Sequence, residues 1–170
     1  MTPTHLPGRT AIPKPPTVLD AFNTAPADEA RKLLLDCLRC LRWAHRVADH
    51  RPYPDLAALL AASDEAAYDL GPADLTEALA AEALPTLPDG TYTAAHTAMR
   101  AAQAAYETKF GHAFVICVDG VPPVEVLDHV LAAIRSRLTN DPEEERLVAA
   151  EELRRLAKER LVDLLRGAGL

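Results

Sequence analysis

Aromatic residues make up only 5% of this 170-residue chain, and no apolar run is long enough to cross a bilayer. With alanine and leucine dominating instead, a β-sandwich or barrel is disfavoured and helices are expected. Basic residues are also scarce: 18 Lys and Arg stand against 25 Asp and Glu, for a net charge of −7 and a pI near 5.3. With no basic stripe and no interleaved aromatics, a nucleic-acid partner is excluded, and no membrane partner is expected. The segment Met1 to Pro7 lacks the charged and apolar regions of a signal peptide, and the three cysteines are an odd number, which fits a reducing compartment. A cytoplasmic location follows as an expectation. There is no HExxH, no carboxylate cluster at metal spacing, no GxSxG, no Walker loop and no dinucleotide fingerprint. Neither a metal nor an organic cofactor is expected.

What is present is a chain 49% apolar and long enough to bury one core. Residues 1–20 hold Pro3, Pro7, Pro13, Pro15 and Pro16 with little periodicity and read as a proline-rich N-terminal segment. Residues 21–170 read as one all-α domain, a helical bundle. Its first helix is expected near Thr24 to Pro26, with Leu33, Leu34, Cys37, Leu38 and Leu41 on the buried face, continuing or bending through Trp43 to Ala48 until Pro52 and Pro54. Asp55 can cap the next helix, and Gly71-Pro72 ends it. Asp74 opens another, and a further helix runs from about Thr93 to Lys109. Val124 to Leu138 follows. The last helix starts at Asn140-Asp141-Pro142-Glu143-Glu144-Glu145, with a capping side chain, a proline in the first turn and acids at the positive end. Cys37-Leu38-Arg39-Cys40 has redox spacing but lies inside a helical pattern with no second pair, so these thiols read as small core residues.

The stretch from Tyr106 through Lys109, Phe110, Gly111, Phe114 and Val118 joins a helix end to a short apolar run and then to the turn Asp119-Gly120. Gly111 suits the left-handed backbone that closes a helix, and the run after it reads as buried. Tyr-x-x-Lys-Phe-Gly-x-x-Phe resembles the signature of the 2-oxo-4-hydroxy-4-carboxy-5-ureidoimidazoline (OHCU) decarboxylase family of uric acid breakdown. Phe22-Asn23, Trp43, Arg51-Pro52-Tyr53, Arg137-Leu138, Asn140 and Arg160-Leu161 are similar to that family in the same order. The resemblance covers roughly residues 20 to 166. It implies an all-helical bundle with a cofactor-free pocket that decarboxylates a small anionic heterocycle, often in a homodimer.

Two family elements have no match. Glu82 stands where the histidine of His-Pro-Arg-Ile/Leu-Gly is expected, and no Ser-x-x-Glu-Gln stretch follows in the short interval before Tyr106. The resemblance therefore implies a divergent member whose substrate is a small anionic or heterocyclic metabolite. The alternatives are an ordinary OHCU decarboxylase forming (S)-allantoin and a non-catalytic helical partner protein. Arg160 matches the substrate-contacting arginine of the family's last helix; the competing reading is a solvated arginine paired with Glu159 or Asp163. Phe114, Ile116 and Cys117 are expected to line the pocket through their backbone, with His112 at the glycine junction beside them. Glu82 and His96 are the candidate proton carriers, Glu82 against the plainer reading of an exposed residue near a helix end.

Overall fold

A computed structural model describes residues 12–167, which form eight α-helices and one short 3-10 turn at Pro123–Glu125. The all-helical expectation holds. The helices are α1 (Val18–Thr24), α2 (Ala27–Cys37), α3 (Leu41–Asp49), α4 (Leu56–Tyr68), α5 (Pro72–Ala80), α6 (Thr93–Phe110), α7 (Val126–Arg137) and α8 (Pro142–Gly167). None of the described helices is long and apolar enough to cross a membrane. The reading of residues 1–11 as part of a proline-rich segment lies outside the described residues.

Besides two-residue shifts at the starts of α5, which opens at Pro72 rather than Asp74, and of α7, which opens at Val126 after the 3-10 turn rather than at Val124, two boundaries differ from the sequence expectation more deeply. The chain is already helical at Val18, because Thr17 and Asp20 form a reciprocal capping box: the Asp20 amide donates to Thr17 Oγ1 at 3.1 Å and the Thr17 amide to Asp20 Oδ2 at 2.7 Å. Phe22 then anchors α1 in the core at 3% exposure. The second difference lies at Leu38-Arg39-Cys40, where α2 stops without glycine or proline. Leu38 and Cys40 turn extended, with φ of −147° and −137°, and both side chains are buried. Burial of these two residues outweighs the local helical pattern, and it leaves the end of α2 facing a neighbour rather than continuing into α3.

The remaining caps follow the sequence. Asp55 accepts from the Ala58 amide at 2.8 Å, and Gly111 closes α6 at φ +77°. At the start of α8 it is Asp141 whose side chain caps, accepting from the amides of Glu143 and Glu144 at 2.9 Å. Lys109 does not serve its own helix end. Its ammonium donates to the carbonyls of Leu138 and Asn140 beyond α7, where the unpaired carbonyls of a helix terminus collect.

Two apolar clusters meet in the fold. One joins α1 to α5 with α8, around Trp43, Leu34, Leu59, Leu153 and Leu161; the other joins α6 and α7 around Tyr106, Met99, Val130 and Ile134. The non-helical run after Gly111 passes between them. Phe114 and Ile116 face the α6–α7 cluster while Val115 faces the other, the alternation expected of an extended chain. A buried ion pair holds this run. Glu145, fully buried, accepts from Tyr106 Oη, from Arg137 Nε at 2.8 Å and from Asn140 Nδ2 at 3.0 Å. Arg137 in turn donates to the Val115 carbonyl at 2.6 Å and lies over the Phe114 ring, 4.2 Å from its centroid. Every charge in this cluster has partners, which a buried pair requires.

Candidate active site

The end of α2, the residues after α5 and the middle of α8 converge on an open cleft of about 530 Å³. Cys37 and Arg39 line it from the first, Glu82, Leu84 and Thr86 from the second, Leu156 and Arg160 from the third, and Val118 from the run between the clusters. Leu153, Ala157 and Leu161 bury one face of α8, which aims the adjacent Arg160 into this space.

Arg160 and Glu82, singled out separately in the sequence, are brought together there. Arg160 Nη1 donates to Glu82 Oε1 at 2.7 Å and Nη2 to Oε2 at 2.8 Å, a two-bond fork, and Nη1 also donates to the Cys37 carbonyl at 3.0 Å. The guanidinium thus caps the carbonyl end of α2, where a cation is favoured. Glu82 has the opposite problem, as an acid just beyond the carbonyl end of α5. Its side chain is only 6% exposed, against 36% for Arg160. Neither of the plainer readings holds: the partner of Arg160 is not Glu159 or Asp163, and Glu82 is not a solvated residue. The fork raises the pKa of Arg160 above its ordinary value, through the Glu82 hydrogen bonds against the effect of burial. Burial pushes the Cys37 thiol up to about 11, with Arg160 pulling in the other direction. Cys37 is therefore a neutral thiol rather than a nucleophile.

The other sequence candidates lie elsewhere. His96 is exposed on α6 and does not line the cleft. His112 is half-buried, edge-on to Tyr106 at 5.5 Å, and borders a separate cavity of about 230 Å³ between α5 and the end of α6. Phe114 and Ile116 are core residues at 0% and 7% exposure. Cys117 turns toward a neighbouring groove of about 400 Å³ on α8. Its amide donates to Glu152 at 2.7 Å and its thiol to Glu159 at 3.3 Å, so two of its polar groups are engaged within the chain. Val118, the next residue, is the part of this run that reaches the Arg160 cleft. Sequence reasoning missed Val118, Arg39 and the Cys37 carbonyl. The last becomes available only because α2 breaks where no breaker residue marks it.

Against the expectation of no cluster at metal spacing, the described residues hold one: ligand atoms of Cys40, Asp74 and Glu77 lie within 4.8 Å of one another. Its carboxylates are already occupied. Asp74 accepts from the Gly71 amide at 3.0 Å and from Arg42 at 3.3 Å, and Glu77 from the Leu41 amide at 3.3 Å. These contacts cap α5 and tie it to α3.

Comparison with known proteins places the chain in a class. The OHCU decarboxylase family model matches residues 23–89 and 86–162, and the chain belongs to that family. The two matched stretches meet in the loop that carries Glu82, Leu84 and Thr86. Among solved structures the chain is similar to an (S)-allantoin synthase, at 21% identity and a TM-score of 0.69, covering 88% of this chain and 54% of that one. It is also similar to an OHCU decarboxylase crystallised in the presence of (S)-allantoin, at 19% identity and a TM-score of 0.70, covering 84% and 99%. The chain thus spans about half the length of the synthase, 54%, and nearly all of the decarboxylase, 99%. No curated protein sequence matches it.

Proposed function

We propose that the protein is a diverged, cofactor-independent lyase of the OHCU decarboxylase family, acting in the Arg160 cleft on a small anionic or heterocyclic metabolite by decarboxylation or a related proton transfer. The observation that carries this reading is the meeting of Arg160 and Glu82 in one cleft, a fixed donor fork beside a carboxyl group. Decarboxylation breaks a carbon–carbon bond, leaves the electron pair on carbon to be delocalised into a neighbouring carbonyl or imine, and ends when that carbon takes a proton. Arg160 supplies donors for a substrate oxygen that carries or gains charge. Glu82, held mostly out of water, is the group in reach that can carry the proton. Val118, Leu84 and Leu156 supply the apolar part of the cleft wall. His96 has no part in this scheme, and the Phe114 to Cys117 run acts by fixing Val118.

A non-catalytic binding protein is the second reading, and one observation favours it: the fork of Arg160 is closed by Glu82 in the free chain. Incubation with freshly generated OHCU is the first test. Carbon dioxide release above the spontaneous rate supports the lyase, and the chirality of the allantoin formed says whether the ordinary family reaction survives. Release at the background rate at high protein concentration removes the ordinary family reaction and leaves another substrate or a binding role.

A further inference from the structure

We infer that Glu82 occupies the seat of a ligand carboxylate on Arg160, so that an anion entering the cleft displaces Glu82 and brings one proton onto it. This rests on the reading of the cleft as the site, and it names the ligand class as planar carboxylates of single negative charge.

The fork sets the geometry. Two guanidinium nitrogens meet two carboxylate oxygens at 2.7 and 2.8 Å, the arrangement a bound carboxylate would itself adopt. A second planar anion cannot share that edge, so one that binds on it replaces the first. The third contact of Arg160, to the Cys37 carbonyl at 3.0 Å, involves no Glu82 atom and holds the guanidinium in place during the exchange. Arg39, exposed on the link between α2 and α3, has no ion pair among the described residues and offers a first stop for an anion at the rim.

Charge balance supplies the proton. The groups facing Glu82 are Asp36, Cys37 and Arg39 from the end of α2 and Arg160 from α8, with Glu159 beside Arg160 on the same helix; the run between the clusters contributes only Val118. With Cys37 neutral, the lining charges Asp36, Arg39, Glu82 and Arg160 sum to zero. A carboxylate entering on Arg160 takes that partner from Glu82 and sets a second anion beside it in the cleft, against Leu84, Leu156 and Val118. An ionised carboxylate without a partner is costly there, and a proton removes the cost. The neutral acid so formed stands beside the bound ligand. When the anion departs, Glu82 loses the proton and returns to the fork.

The test is calorimetric titration with N-carbamoylglycine, which carries one carboxylate and one ureido group, near neutral pH in buffers of different ionisation enthalpy. The expected results are binding in the millimolar range or tighter, with uptake approaching one proton. In Glu82→Gln, where no charged rival holds the fork, uptake falls to zero and affinity rises about tenfold, the difference between a charged and a neutral hydrogen-bonded rival. Arg160→Ala loses the binding. Binding without proton uptake, binding weakened in Glu82→Gln, or no binding to the native protein overturns the inference. Should Glu82→Gln fail to fold, the pH dependence of the native dissociation constant decides alone: affinity falls tenfold per pH unit above neutrality if one proton is taken up, and is flat if none is. Proton-linked binding without turnover of OHCU leaves this inference standing and removes the OHCU reaction. Turnover lost in Arg160→Ala but with no proton taken up on binding does the reverse.

Discussion

Arg160 and Glu82 are 78 positions apart in the chain and share two hydrogen bonds of 2.7 and 2.8 Å. The pair joins α8 to the loop after α5, so its two halves differ in what their loss leaves behind. Arg160→Ala leaves a carboxylate at 6% exposure without its partner and is expected to destabilise by about 2 kcal/mol. Glu82→Gln leaves a guanidinium that still reaches water and the Cys37 carbonyl, and about 1 kcal/mol is expected. Urea unfolding of the two variants measures the asymmetry; equal losses would mean that the burial of Glu82 has no energetic consequence.

Glu145 is the other buried acid, and here the expected effect is larger. Glu145→Leu strands Arg137 and the hydroxyl of Tyr106 in the core and is expected to cost about 3–5 kcal/mol. Tyr106→Phe removes one neutral donor and keeps the ring packing against Phe110 and Phe114, for about 1 kcal/mol. Because Arg137 also holds the Val115 carbonyl, the Glu145 variant should lose amide exchange protection along residues 114–117 before it loses helix content.

Cys37 gives a prediction in pH. Its thiol, ordinarily near 9.0, is pushed up to about 11 by burial. A folded pKa above the unfolded one means that the contribution to stability is complete below the unfolded value and is lost as pH rises from about 9 through about 11. Alkylation of Cys37 should follow the same rise. Arg160→Ala removes the cation that favours the thiolate and should move the midpoint higher still, whereas a midpoint at 9 in the native protein would show that the thiol is in contact with water.

Gly111 is the residue at which α6 has to end. Its φ of +77° is left-handed, and a Cβ there would meet nothing within 4 Å, so the cost of Gly111→Ala is backbone strain alone. About 1 kcal/mol is expected by thermal or urea unfolding. A neutral result would mean that the helix end rearranges freely.

The bundle was legible wherever a residue forces the backbone. Gly71-Pro72, Gly111 and Asp141-Pro142 mark ends and starts that the structure keeps. Where tertiary burial decides, the sequence was silent. The break at Leu38 to Cys40 has no breaker, and α1 hides beside prolines, signalled only by Thr17 and Asp20 at capping-box spacing. The site was legible in part for the same reason. Position along the family pattern picked out Arg160 and Glu82, but neither periodicity nor spacing says that residues so distant in the chain share a fork. His96 was chosen for its place on a helix, and the side of that helix facing solvent could not be read from a pattern dominated by alanine.

The most direct test follows optically active allantoin by circular dichroism after mixing freshly generated OHCU with the native protein and with Arg160→Ala, each first shown to be folded. Formation above the spontaneous rate in the native protein, with that excess abolished in Arg160→Ala, is the expected result and locates the chemistry in the cleft. An excess that survives in Arg160→Ala contradicts it, and no excess in either protein removes OHCU as the substrate.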